Sequence, residues 1–171
     1  MRELEFTRRG ALAALTAAAA AAVAKPAFSA EGLRFREIRV DVSPMRENYQ
    51  SEEAGWVAAV LPGYLRQTFA KYLAPGDRGA AILVARIDLV TLGSPGEGGG
   101  GLVFADSTRD GIDGTGLVLD GSGRTIRSYP LYSSVYARTF EHLPNRTEIE
   151  RERVETVALS FAQWLPGQMG L

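Results

Sequence analysis

One stretch of the chain carries the donor set of a metal loop. In "DSTRDGIDGTG", residues 106–116, Asp106, Thr108 and Asp110 stand at alternate positions, Gly111 follows, and Asp113 adds a third carboxylate. Calcium takes roughly six to eight oxygens, and the usual loop closes with a bidentate glutamate at its twelfth position. Here that position is Leu117. The competing reading is a polar turn in which Asp and Gly serve backbone geometry. Asp106, Asp110 and Asp113 therefore stand as weak candidates, and no metal is assigned.

Nucleophilic catalysis would have to use His142, in "FEHLPN", because it is the only histidine. Its natural partner, a serine in a glycine-flanked elbow, is missing: Ser122 in "DGSGR" suits a hairpin turn. Glu52 and Glu53, and the set from Glu148 to Glu155, lie on helix positions that face water, where nothing raises a carboxylate pKa toward general-acid work. "GEGGGG" lacks the Lys-Ser/Thr ending of a phosphate cradle. Arg86 and Asp88 share a strand face with Ile82 and Val84. No cluster would hold a cofactor, and the chain reads as a non-enzyme. The residues suited to binding are aromatic: "SYPLYSSVYARTF" holds Tyr129, Tyr132, Tyr136 and Phe140 beside a proline-interrupted strand. Aromatics near a proline-broken strand can make a partner surface; packing into the core and its rim is the reading their composition favours.

The elements that must position these residues follow from periodicity. Ile38, Val40 and Val42 alternate with Arg39 and Asp41, a half-buried strand ending before Pro44. Phe35 falls on the wrong parity, which calls for a bulge. "SEEAGWVAAVLPGYLRQTFAKYLAPG" predicts a helix with Ser51 as N-cap and acidic groups in its first turn. Trp56, Val60, Tyr64, Thr68 and Tyr72 stack on one face, and Val57, Leu61, Leu65, Phe69 and Leu73 widen it. Pro62 predicts a kink or a new start. "AAILVARIDLVTLG" is apolar on both parities, the mark of a central strand. A glycine-rich loop spans 93–111. Two strands flank the turn "DGSG" at 120–123, with Pro130 arguing for an edge position. "TEIERERVETVALSFAQWLPG" closes as a helix, with Thr147 and Glu150 at capping-box spacing, a stripe of Val154, Val157, Ala158, Phe161 and Leu165, and an end at Pro166-Gly167. The order β-α-β-β-β-α predicts an α+β two-layer sandwich: a mostly antiparallel sheet with two helices on one face.

The first 30 residues read differently from the rest. Arg2, Arg8 and Arg9 precede an uncharged alanine-rich run from Ala11 to Ala24, then Lys25, Pro26 and "AFSA". As a helix that run spans about 21 Å, short of the roughly 30 Å hydrocarbon core. The pattern predicts a cleavable signal peptide over 1–30 and a single domain over 31–171. "TRRGAL" resembles the twin-arginine export motif, with Arg8 and Arg9 as the paired arginines and Ala11 where that family prefers an aromatic residue or leucine. The resemblance implies handling by the twin-arginine machinery, or else the general secretory pathway, and a periplasmic destination. No cysteine follows the run, so no membrane anchor is expected after cleavage. The chain has no cysteine at all, 19 basic and 20 acidic residues; the leader holds Arg2, Arg8, Arg9 and Lys25 against Glu3 and Glu5, so the body carries a net charge near −3. The charges are interspersed, with no nucleic-acid footprint.

"IRVDVSP" before a long helix, the long second strand, and "LVLDGSGRTI" before a last helix resemble small envelope domains. These include the lipopolysaccharide-assembly lipoprotein E and the N-terminal domain of the TolB translocation protein. A helix-covered sheet with one free face and no catalytic constellation together predict an exported domain that binds another envelope component, protein or glycolipid, through a sheet face or edge. A small-molecule or divalent-cation binder is the alternative.

Overall fold

A computed structural model of the chain describes residues 32–93, 109–137 and 145–171. Arg8, Arg9 and the expected cleavage region lie outside the described residues, as do Asp106, Phe140 and His142. The fold is α+β: a four-stranded mixed sheet packed against two long helices and one short one.

Strand β1, Phe35–Asp41, has the bulge that its parity demands. Its register slips between Phe35 and Glu37, so Phe35 and Ile38 both reach the core. The chain then turns into a short helix, α1 (Ser43–Glu47), which alternation alone does not announce. Asp41 seeds it by accepting the Ser43 N–H at 3.0 Å, and Met45 anchors it in the core. Tyr49, with φ 63°, makes the turn into α2 (Ser51–Thr68). Ser51 opens that helix but does not cap it. Gln50 holds the cap position, and its amide is taken up elsewhere: it donates to the Val90 carbonyl at 2.6 Å and accepts the Val90 N–H at 3.0 Å. The helix runs through Pro62 and gives way at Phe69 to a 3-10 turn, Ala70–Tyr72. Its buried line is Ala54, Val57, Leu61 and Leu65, with Trp56, Val60 and Tyr64 along the margin.

Strands β2 (Ala81–Thr91), β3 (Arg109–Leu119) and β4 (Thr125–Tyr136) follow, in spatial order β1-β2-β3-β4. β1 and β2 pair parallel, because the helical segment between them carries the chain back to the same end of the sheet. The other two pairings are antiparallel. β3 begins at Arg109, inside the stretch that reads as loop. β4 continues through Pro130, which its edge position tolerates. The last helix, α3 (Arg146–Met169), is capped by Asn145, whose side chain accepts the Glu148 N–H at 2.9 Å; Thr147 and Glu150 have no part in the cap. It also passes Pro166 and Gly167 and ends at Gly170, in the left-handed conformation that glycine adopts without strain.

Helices α2 and α3 cover one face. Leu83, Ala85 and Ile87 of β2, Ile112 and Val118 of β3, and Val157, Phe161 and Leu165 of α3 share one buried cluster with the α2 line. Each such Val, Leu, Ile or Phe side chain contributes roughly 1.5–3 kcal/mol over its exposed state. A buried hydroxyl pair, Ser133 and Ser160 at 2.6 Å, ties β4 to α3. Two glycines of β3 allow close approach, Gly116 to α3 and Gly114 to β2. A Cβ at Gly116 would stand 2.7 Å from Leu165 Cδ1, and one at Gly114 would stand 2.5 Å from the Arg86 carbonyl oxygen.

Two outcomes are expected. Gly114→Ala should lower unfolding stability by about 1–3 kcal/mol in urea titration, and more than Gly116→Ala, because a main-chain carbonyl in the ladder cannot swing aside as a leucine methyl can. The β3–β4 turn predicts acid sensitivity. Asp120 accepts from the Ser122 hydroxyl (2.6 Å), from the Ser122 and Arg124 N–H groups and from the Arg124 guanidinium, and these donors, the Ser122 hydroxyl foremost, hold its pKa at about 2. A depressed carboxylate pKa stabilises the fold above the unfolded value of 3.8 and loses that contribution as pH falls toward about 2. Carbon-detected NMR titration should place the Asp120 midpoint near 2, and Ser122→Ala should raise it.

Candidate functional site: the uncovered face of the sheet

Strand alternation sends every second side chain away from the helices. On β4 those are Ser128, Pro130, Tyr132, Ser134 and Tyr136; on β3 they are Arg109, Gly111, Asp113, Thr115 and Leu117. Tyr132 and Tyr136 are 63% and 69% exposed. Tyr129 is not with them. Its odd position turns it toward the helices, where it packs half-buried against the core with its hydroxyl accepting from Arg127 at 3.2 Å. The expected tyrosine triad is therefore split by parity, two on the open face and one inside.

Both exposed rings are held in place. Tyr132 lies diagonally across β3 onto Gly111, where a Cβ would meet its hydroxyl oxygen at 2.5 Å. Arg109 sits 4.3 Å above the centre of the Tyr136 ring while donating to the Ser134 hydroxyl at 3.0 Å. Such a cation over an aromatic face contributes about 0.5–1 kcal/mol when exposed. Periodicity could have found Arg109, since it stands opposite Tyr136 in the ladder; reading 93–111 as loop hid it.

Across the sheet the face changes character. Near β1 it is charged and internally neutralised: Arg39 forms two 2.7 Å hydrogen bonds with Glu37, and Arg86 pairs with Asp88 at 3.0 Å. The hydrogen bond from Arg39 holds the Glu37 carboxyl below its usual range. Between the two ends lie Leu89, exposed, and Leu117. The open face thus runs from paired charge at one edge to anchored aromatics at the other.

The carboxylates of the metal-like stretch are not brought together. Asp110 and Asp113 are three apart in β3, so one points in and the other out. Asp110 is 1% exposed and both its oxygens are engaged by Arg153, itself 7% exposed: Arg153 Nε donates to Oδ2 at 2.9 Å and Nη2 to Oδ1. The same Oδ1 accepts the Gly93 N–H at 3.0 Å, and Arg153 Nη2 also donates to the Gly93 carbonyl. A cation at Asp110 would have to displace a guanidinium. Among the described residues no three His, Asp or Glu side chains gather as a metal site. Ser122 is confined to the hairpin turn by Asp120.

At the far end of the sheet lies a cavity of about 510 Å3, walled by Leu33, Ala80, Ala81, Gly121 and Ile126, with Asp77 and Asp120 at its rim. Both carboxylates already serve local turns, Asp77 accepting the Gly79 N–H at 2.8 Å.

No protein-family model matches the chain, and no curated protein matches it. Among solved structures it is similar to a candidate lipoprotein from Caulobacter crescentus CB15, at 12% identity and TM-score 0.45, over 79% of this chain and 86% of that one. A minor lipoprotein from Acinetobacter baumannii matches at 14% identity and TM-score 0.39, over 78% and 94%. Uncharacterized lipoprotein B from Nitrosomonas europaea matches at 7% identity and TM-score 0.30, over 78% and 83%. These are loose overlaps of backbone course.

Removing one member of the buried pair leaves the other charged and unpartnered, which costs about 3–5 kcal/mol. Arg153→Met should show a loss of that size in denaturant unfolding. Asp110→Leu/Arg153→Met should recover much of it, giving a coupling energy well above the roughly 0.2–1 kcal/mol of an exposed pair.

Proposed function

We propose that the chain is an exported, non-enzymatic domain of the periplasm, carried there by its twin-arginine-like or general secretory leader, that binds another component of the cell envelope. The observation that supports this reading is the sheet face that no described element covers, with Tyr132 and Tyr136 anchored and exposed at one side. Exposed aromatics with fixed rings are the side chains from which binding hot spots are made. The paired charges toward β1 supply a polar rim that attracts no counter-charge of its own. A small-molecule binder is the second reading, favoured by the cavity at Leu33 and Ile126, whose volume lies within the roughly 300–1,000 Å3 typical of ligand sites.

A photo-crosslinking amino acid at Tyr132 should give one discrete adduct with a different chain or a glycolipid in intact cells. The same group at Gln67, exposed on α2, should give none. Tyr136→Ala should abolish the Tyr132 adduct while leaving the thermal midpoint within about a degree or two, since exposed substitutions change stability by roughly 0.5 kcal/mol or less. Equal adducts from both positions, or none from Tyr132, would remove the open face from consideration.

A further inference from the structure

The two edges of the sheet are not equally protected. At β1 the edge is short and charged, and the segment after α2 crosses its start: Ala74 donates to the Phe35 carbonyl at 2.8 Å and Leu73 bridges Phe35. Charge, brevity and cover are the usual defences of an edge strand. β4 is twelve residues long, and only its first half is defended. Pro130 has no N–H to offer, and its carbonyl accepts from Gln168 of α3 at 3.0 Å. Both main-chain groups of Pro130 therefore face away from β3. Register is continuous from Arg127 to Tyr136, so residues at even spacing beyond Pro130 also face outward: Tyr132, Ser134 and Tyr136. Their outward N–H and C=O groups have no partner among the described residues, and no charged side chain stands among residues 132–136 to discourage pairing.

We infer that this half-edge pairs antiparallel with the same half-edge of a second copy, about a two-fold axis through Ser134. The symmetry fits the residues. Centred on Ser134, the pairing sets Tyr132 opposite Tyr136 of the partner and Tyr136 opposite the partner's Tyr132, both pairs on the open face, where directly opposed aromatics stabilise a ladder. The end rows are complementary in charge. Arg109 stands beside Tyr136 and Asp113 beside Tyr132, so each row reads Arg109, Tyr136, then the partner's Tyr132 and the partner's Asp113. Shifting the axis by two residues toward Pro130 sets Tyr132 on itself and runs Ser134 into the missing donor at Pro130. The proline and its Gln168 cap thus act as a stop against sliding in that direction. Both copies keep their helices on the same side, and the result is one eight-stranded sheet with a doubled open face. So short a ladder buries less than a standard stable interface, which makes the dimer weak and concentration-dependent.

The inference shares the aromatic corner with the proposed function but rests on main chain rather than on side-chain contact, and the tests separate them. Sedimentation of the purified chain should show average mass rising from the monomer toward twice that value with concentration. Ser134→Pro removes an outward donor without touching the ladder to β3, and should stay monomeric at every concentration; Ser134→Ala should behave as wild type. The chain has no cysteine, so Ser134→Cys places one thiol on the axis, where opposed Cα atoms stand about 5.5 Å apart. A short bis-maleimide should link Ser134→Cys into dimers and leave Ser128→Cys, beyond the proline, unlinked. A mass independent of concentration, or equal linkage at both positions, overturns the inference, and the cysteine pair decides if Ser134→Pro does not fold. A Tyr132 photo-adduct of twice the chain's mass counts for self-association, and one of another mass that persists in Ser134→Pro counts for the open-face reading alone.

Discussion

A single buried ion pair constrains how the layers of this domain meet. Asp110 opens the inward row of β3, Arg153 lies early in α3, and the two hold Gly93 between them just past the end of β2. Three separate segments therefore share one charge-neutral junction inside the core. Separating two buried charges is costly unless each meets its partner with good geometry, so α3 has one rotation and one height at which it can dock. Once Arg153 is seated, Val157, Phe161 and Leu165 fall over the inward residues of β3, and Ser160 reaches Ser133. The helix cannot slide without stranding a charge.

Among the described residues, that fixed docking leaves the other face of the sheet uncovered. Both long helices lie on the same side because the crossover between β1 and β2 and the return after β4 each have a buried stripe to hide, and one layer suffices to hide both. The bare face is then shaped by pairing within strands: Glu37 with Arg39, and Arg86 with Asp88, each two residues apart. Such pairs satisfy themselves locally. Tyr132 and Tyr136 draw their support from the neighbouring strand instead, through Gly111 and Arg109 of β3.

Much of this was legible in the residues. Period-two alternation from Ile38 to Val42 and around Ile87 marked strands, and the α3 stripe from Val154 to Leu165 was plain. The wrong-parity Phe35 announced its bulge. The parallel pairing of β1 with β2 was also available, since a helix between two strands brings the chain back to the same end, although hairpins later in the chain pull the reading toward antiparallel. Other features had weaker signals. Arg153 sits in "ERERVET" among charged residues that face water; only its spacing of four from Val157 and seven from Ser160 puts it on the inner face. Asn145 caps α3 just before the Thr147–Glu150 pair that imitates a capping box, and local spacing cannot choose between two adjacent caps. Gln50 shows the reverse: an element far along the chain, the Val90 peptide, claims the side chain at the cap position, where local rules choose Ser51. Tyr129 was grouped with Tyr132 and Tyr136 by composition, whereas counting by twos would have separated it.

The glycine beneath Tyr132 has a further consequence. With no side chain at Gly111, the ring can rest flat on the strand surface, and Tyr136 is steadied in the same way by the guanidinium above it. Aromatic side chains that are loose in solution lose rotational freedom when something settles on them, an entropic cost of about 0.5–1.5 kcal/mol for each side chain immobilised. Here much of that ordering is completed by folding itself. The two rings are thus presented already ordered by the fold, each against its own support in β3.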